Sequence, residues 1–191
     1  MTTPGDAPES TVAERLAAAL ERIAHARRAV IQDIATRNGL TVLQVEILRH
    51  VHACGPTRSS DLAREFAVST PTVSDAIAAL RHKHYVEQRP GTDARTRLVS
   101  LTDVGVHTTR RIDVDLIPFR NACAGAGPAG LAAALDVIHG LWRQGVLSVD
   151  RSCVTCAHYL VGPDGTRRCN LLGVELTPET LRVNCPEHTA A

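Results

Sequence analysis

The stretch Ser60-Asp61-Leu62-Ala63-Arg64-Glu65-Phe66-Ala67-Val68-Ser69-Thr70-Pro71-Thr72-Val73-Ser74-Asp75-Ala76-Ile77-Ala78-Ala79-Leu80 decides the fold. Ser59 or Ser60 can cap a short helix over Asp61 to Phe66, with Leu62, Ala63 and Phe66 facing inward. Ala67-Val68-Ser69 is a tight turn. Thr70 then reads as an N-cap with Pro71 at the first helical position, where a missing N–H costs nothing, and the helix runs to about Lys83. Val73, Ala76, Ile77 and Leu80 share its inner face; Pro71, Ser74, Asp75 and Ala78 share the outer one. Two short helices joined by a tight turn make a helix-turn-helix over about 59–83.

Downstream, Tyr85 to Arg89 and Arg95 to Leu101 alternate on either side of Pro90-Gly91-Thr92-Asp93-Ala94, which predicts a β-hairpin, or wing, over about 85–101. Thr102 caps a helix reaching toward Arg120, which Pro118 should kink or end. Ala122 to Gly130 is predicted as a flexible or turn segment, followed by a last amphipathic helix carrying Leu131, Leu135, Ile138, Leu141 and Trp142. Upstream, apolar residues from Val12 to Ile34 recur at helical spacing, and Asn38-Gly39 stops that helix. Thr41 and Gln44 form a candidate capping box for a second helix through Val51, which Gly55-Pro56 stops.

The 191 residues are 44% hydrophobic and 21% charged, which excludes wholesale disorder. There is no apolar run of membrane-spanning length, and the start, Met1 to Ser10, is Pro-rich and acidic, unlike a secretory signal. The expectation is a cytoplasmic protein with no membrane partner. A net charge of +1 gives no global field for nucleic acid, so any basic surface is local. It lies between 81 and 97, where Arg81, Lys83, Arg89, Arg95 and Arg97 oppose Glu87 and Asp93. Aromatic residues are only 3%, too few for a base-stacking platform, so the partner is a duplex and not a single strand. A helix entering the major groove needs small polar residues on its first turns, which nominates Thr70, Thr72, Ser74 and Asp75. Asp75 is the odd member. It either accepts from a cytosine amino group or repels the wrong sequence.

Ser60 to Phe66, Val68 to Leu80, Tyr85-Val86-Glu87, and Asp93-Ala94-Arg95 followed by Leu101-Thr102-Asp103-Val104-Gly105 resemble, in this order and spacing, the MarR family of bacterial winged helix-turn-helix regulators. The resemblance covers roughly Val12 to Val149. It implies a mainly α, winged helix-turn-helix homodimer whose long terminal helices interlock, and a repressor-type transcription regulator placing two winged domains on a palindromic operator. It also implies that Arg95 reaches the minor groove or its phosphates and that Asp93 holds the wing's arginines in place; Arg81, Arg89 and Arg97 complete the candidate DNA-binding set. A small-molecule effector between the domains belongs to the same expectation.

Beyond that region, residues 150–191 are chemically a different object. Cys153-x2-Cys156-x12-Cys169-x15-Cys185-Pro186 brings four thiols into the chain's end, a candidate metal-binding tail. Four thiolates can bind zinc tetrahedrally or hold an iron–sulfur cluster. The single Cys-x-x-Cys knuckle and the terminal Cys-Pro lean toward the cluster; the small size of the module leans toward zinc. His158 and His188 lie nearby and are expected on a polar surface. Cys54 and Cys123 stand apart and are expected to be buried and inert. A thiol oxidoreductase is disfavoured, because no βαβ pattern precedes Cys153-x2-Cys156. The chain thus divides into a flexible start (1–10), a winged helix domain (11–149) and the cysteine tail (150–191), with no enzyme activity expected. The alternative reading is a ligand-responsive regulator whose tail is a passive zinc or docking module.

Overall fold

The structure, a computed structural model, describes residues 11–91 and 96–191. The chain divides into two compact units, residues 1–42 and 43–191. The first holds helix α1 (Val12–Arg37), opened by a capping box in which Thr11 and Glu14 satisfy each other's backbone N–H groups. Its outer positions stay apolar: Val12, Leu16 and Ile23 are all exposed. Gly39, at φ 61°, turns the chain out of the helix.

All of helix α2 (Val42–Cys54) but its first residue belongs to the second unit, where β1 (Thr57–Arg58), α3 (Ser59–Glu65) and α4 (Thr70–His82) follow. Val45, Leu48, Val51, Leu62, Val73, Ile77 and Leu80 are buried, as the helical spacing predicts, and so is Ile47. Two local details differ from the sequence reading. Helix α3 starts at Ser59, behind an extended Arg58 that has no side-chain cap, because Thr57 and Arg58 pair with Val99 and Leu98 and fix the extended geometry there. Helix α4 is capped by Ser69, not Thr70: the Ser69 Oγ accepts from the Thr72 N–H at 3.3 Å. Pro71 thereby falls at the second helical position, still among the N–H groups that lack an intrahelical acceptor. Phe66 is half-buried, edge-on to His50 with ring centroids 5.8 Å apart.

Strands β2 (Val86–Pro90) and β3 (Arg97–Leu101) form the antiparallel hairpin, in register from Val86 opposite Leu101 to Pro90 opposite Arg97. Strand β1 joins on the other side of β3, giving the order β1-β3-β2. Helix α5 (Asp103–Asp115) follows at once. Thr102 caps it by accepting from the Gly105 N–H at 3.0 Å, while the Thr102 Oγ1 donates to the His84 carbonyl at 2.6 Å. A Cβ at Gly105 would stand 1.9 Å from the Tyr85 carbonyl oxygen, so the Leu-Thr-x-x-Gly spacing exists to let α5 press against the junction of α4 and β2. Arg49 Nε donates to Asp113 Oδ1 at 2.9 Å and ties α2 to α5.

Pro118 does end α5, but by starting α6 (Ile117–Ala124) in its first turn; Pro128 does the same for α7 (Gly127–Arg143). The predicted flexible segment 122–130 is therefore mostly helix, bent by 101° where Gly125 and Ala126 separate α6 from α7. The alanines favour helix, and only the Gly125-Ala126-Gly127 break interrupts it. Among the described residues no single helix is long and apolar enough to cross a membrane. The end of the chain carries a sheet that the sequence reading did not predict, β4 (Tyr159–Val161), β5 (Arg167–Cys169) and β6 (Val174–Glu175), antiparallel in that order.

Candidate nucleic-acid interface and cysteine cavity

Helix α4 presents Thr70, Thr72, Ser74 and Asp75 on its exposed side, opposite the buried Val73, Ala76, Ile77 and Leu80. The Thr72 hydroxyl lies 2.7 Å from Ser69 Oγ, which orients both groups at the helix start. Ser69 is a member of this polar end that the sequence reading missed, although its spacing of three from Thr72 signals it. Arg81 sits farther along the helix and, with His82 and the wing residues Glu87 and Gln88, lines an open groove of about 780 Å³. Arg89 Nε donates to Glu87 Oε1 at 2.7 Å, two residues away on the same strand face, so part of its charge is matched within the wing. Arg97 is exposed at the start of β3, across from Pro90. Asp93 and Arg95 lie outside the described residues.

All four tail cysteines line one small cavity, together with His158, Tyr159, Leu171, Leu172, Leu176 and Glu187. Cys153 opens a single 3-10 turn, and the Cys156 N–H returns to the Cys153 carbonyl at 3.1 Å, which folds the Cys-x-x-Cys knuckle. Cys169 ends β5, where Gly173 at φ 66° lets the chain turn back and donate to the Cys169 carbonyl at 2.9 Å. Cys185 comes from an extended segment whose N–H donates to the Arg151 carbonyl at 3.0 Å. The Arg182 N–H donates to Cys153 Sγ at 3.3 Å, and Arg182 Nη1 approaches Cys185 Sγ at 3.7 Å. Burial pushes the Cys185 thiol pKa up, helped by its hydrogen bond to Glu187, while Arg182 opposes the shift. His188 is held at 3.0 Å from Thr155 Oγ1, and His158 lines the cavity instead of a plain polar surface. Among the described residues no three His, Cys, Asp or Glu side chains are set to hold a single metal ion.

The winged helix-turn-helix fold is shared with known proteins. Residues 40–105 match the winged helix DNA-binding domain. No curated protein sequence matches the chain. Among solved structures, the S. aureus MepR in its DNA-binding conformation superposes with a TM-score of 0.59 at 14% identity, covering 69% of this chain and 98% of that one. NadR in complex with 4-hydroxyphenylacetate gives 0.56 at 19% identity, over 73% and 97%. The transcriptional regulator BldR from Sulfolobus solfataricus gives 0.53 at 20%, over 69% and 99%. At these identities the likeness is one of fold.

The two solitary cysteines part ways. Cys54, at the end of α2, is half-buried, and burial raises its thiol pKa, with Arg151 pulling the other way and Glu65 adding to the rise. Cys123 is exposed on α6, contrary to the expectation of a buried thiol. The apolar face of that helix is too short to turn the cysteine inward: none of its residues is buried. His50, one turn before Cys54, has its pKa lowered, chiefly by burial and also by the Arg151 charge, against the pull of Glu65 and Asp61.

Proposed function

We propose that the chain is a dimeric transcriptional repressor of the MarR type that binds a palindromic duplex through α4 and the wing, and that its cysteine module holds an iron–sulfur cluster. The observation that carries the DNA-binding reading is the two-faced α4, with its inner side fully packed and its first two turns presenting small polar groups beside an arginine-bearing hairpin. Phosphates are met by Arg81, Arg97 and Arg95, a sequence-independent and salt-dependent contribution; base edges are met by Thr70, Thr72, Ser74 and Asp75. Asp93 positions the wing arginines. Dimerisation uses the terminal helices: α1 leaves Leu16 and Ile23 exposed, and of the apolar residues on α7 only Leu135 is buried.

The module's own packing supports a metal. In residues 153–191 Leu176 is the one buried aliphatic side chain, and the other buried apolar groups are Cys153 and Cys185. Leu160, Val161, Leu171, Leu172, Val174 and Val183 are all exposed. About forty residues with so little core need a staple, which four convergent thiols supply. Zinc asks for thiolates about 2.3 Å from one point, whereas a cluster distributes its ligands over separate irons. The single Cys-x-x-Cys knuckle and the terminal Cys-Pro favour the cluster. Cys153, Cys156, Cys169 and Cys185 would hold it, and it would supply one-electron exchange and sensitivity to oxidants. The Arg182 N–H stabilises sulfur charge at Cys153, and the Arg182 guanidinium does so at Cys185. Leu176 supplies the one buried aliphatic wall.

The second reading, a regulator answering a small molecule while the tail stays passive, has one observation in its favour. A groove of about 500 Å³ is lined by His52, Arg89, Val106 and Ser100, whose buried Oγ has no hydrogen-bond partner. The test is protein purified without oxygen, with iron, sulfide and zinc measured, and duplex binding by sequence selection before and after exposure to oxidant. Visible sulfur-to-iron absorbance and an oxidant-dependent affinity support the first reading. One zinc per chain with unchanged affinity supports the second, and no enriched duplex overturns both.

A further inference from the structure

The terminal Cys-Pro opens a turn. The His188 N–H donates to the Cys185 carbonyl at 3.2 Å, which closes a four-residue turn with Pro186 at its second position, where the fixed φ of proline is already suited. The turn folds Glu187 back over the residue that starts it, and Cys185 Sγ donates to Glu187 Oε2 at 3.3 Å. The same oxygen accepts from Arg182 Nη1 at 2.7 Å, and that nitrogen stands 3.7 Å from Cys185 Sγ. Thiol, carboxylate and guanidinium form a closed triangle.

Both ends of the turn are fastened to the segment that carries the first two thiols. The Cys185 N–H donates to the Arg151 carbonyl at 3.0 Å, and His188 Nε2 lies 3.0 Å from Thr155 Oγ1, at the end of the single turn Cys153–Thr155. Past the turn, the Ala157 N–H donates to the Thr189 carbonyl at 2.8 Å. Glu187 lines the cavity beside the four thiols, yet its side chain is 44% exposed and has room to rotate. Among the described residues Glu187 alone sets a carboxylate against one of these thiols; Cys153, Cys156 and Cys169 have no such neighbour.

Building on the reading of the module as a metal site, we propose that Glu187 is a reserve metal ligand that shares one coordination position with Cys185. Zinc and iron both accept a carboxylate oxygen, but the thiolate is the softer donor, so Cys185 holds the position while its sulfur is available. When the sulfur is withdrawn, Glu187 takes its place. The exchange moves no electrons: the bond from the metal to the Cys185 sulfur breaks, a Glu187 oxygen forms the replacement bond, and the freed thiolate takes a proton from water. Arg182, within reach of both groups, pairs with whichever anion is left off the metal. The module thereby keeps its metal while the Cys185 thiol is free to react, which the other three thiols do not permit.

The experiment uses the full chain, purified under argon, as wild type, Glu187→Gln, Cys185→Ala, Cys169→Ala, and Cys185→Ala combined with Glu187→Gln, with circular dichroism showing that each is folded. Iron, sulfide and zinc are measured before and after challenge with a chelator, and cobalt(II) is bound as the metal alone so that sulfur-to-cobalt absorbance counts the thiolates. Cys185→Ala should keep its metal with a cobalt absorbance lower by one thiolate, and Glu187→Gln should match wild type, because Cys185 still ligates. The double variant should hold metal about 10-fold or more weakly than Cys185→Ala, the scale on which the partners of a metal site are felt. Cys169→Ala should lose metal as readily as the double variant. Equal retention by Cys185→Ala and the double variant overturns the ligand role. So does a Glu187→Gln variant that loses metal as readily as the double variant, since Glu187 would then only hold the turn together. Cys169→Ala that keeps metal as well as Cys185→Ala overturns the assignment to the Cys185 position. Wild type that holds metal while Cys185→Ala loses it overturns this inference alone. Wild type that binds no metal overturns it together with the metal reading, and leaves the DNA-binding reading intact.

Discussion

Gly105→Ala tests how the winged helix is held together. The added Cβ would lie 1.9 Å from the Tyr85 carbonyl oxygen and 3.0 Å from its carbon, with Leu101 Cδ2 at 3.4 Å behind. The oxygen cannot retreat cheaply, since it accepts from the Thr102 N–H at 3.1 Å, and Thr102 Oγ1 stands 3.2 Å away. Helix α5 has to move outward by more than an ångström, opening its contact with β3 and stretching the Thr102 cap. Overpacking of this kind costs about 1–3 kcal/mol, and a lost cap adds about 1 kcal/mol. The sum is about 2–4 kcal/mol, a fall in Tm of about 5–15 °C for a chain of this size. Because Tyr85 joins α4 to β2, duplex affinity should fall as well. Urea unfolding of the variant beside wild type measures the loss. A change under about 0.5 kcal/mol with an unchanged slope would show that α5 is not seated by this contact.

Three further outcomes are expected. Ala67, in the turn between α3 and α4, has φ 51°, a conformation costing a residue with a Cβ about 1–2 kcal/mol; Ala67→Gly should raise stability by up to about 1 kcal/mol after the extra freedom of glycine in the unfolded chain is subtracted, and a loss in thermal unfolding would refute the turn geometry. Folding lowers the pKa of His50, so the unfolded chain binds the proton more tightly; stability should be unaffected above the unfolded value of about 6.5, fall as the pH drops below it, and level off beneath the folded pKa, with His50→Gln flattening that slope in denaturation series across pH. Arg97→Ala should weaken binding to all duplexes and lower the salt slope by about 0.9, whereas Ser74→Ala should alter sequence preference more than overall affinity; binding titrations at several salt concentrations separate the two.

The two faces of α4 were legible without coordinates, because they depend on local periodicity. Val73, Ile77 and Leu80 recur at helical spacing, and wherever that face is buried, Thr70, Ser74 and Asp75 face outward. The third strand, Thr57–Arg58, was not legible, since two residues carry no alternation and pair with Val99 and Leu98 only once the hairpin has formed. Nor was the helical character of 122–130, where three glycines read as flexibility until Pro118 and Pro128 proved to start helices instead of breaking them.

Residue order alone reveals a helix with one apolar and one polar face, an arginine-bearing hairpin, and four thiols gathered after residue 150. Spacing along the chain cannot say which distant residues meet. Tertiary structure decided that Gly105 answers to the Tyr85 carbonyl, twenty residues away, and that Cys153, Cys156, Cys169 and Cys185 share one cavity. Contacts of this range are selected by how the packed elements close on one another, which local preference along the chain does not encode.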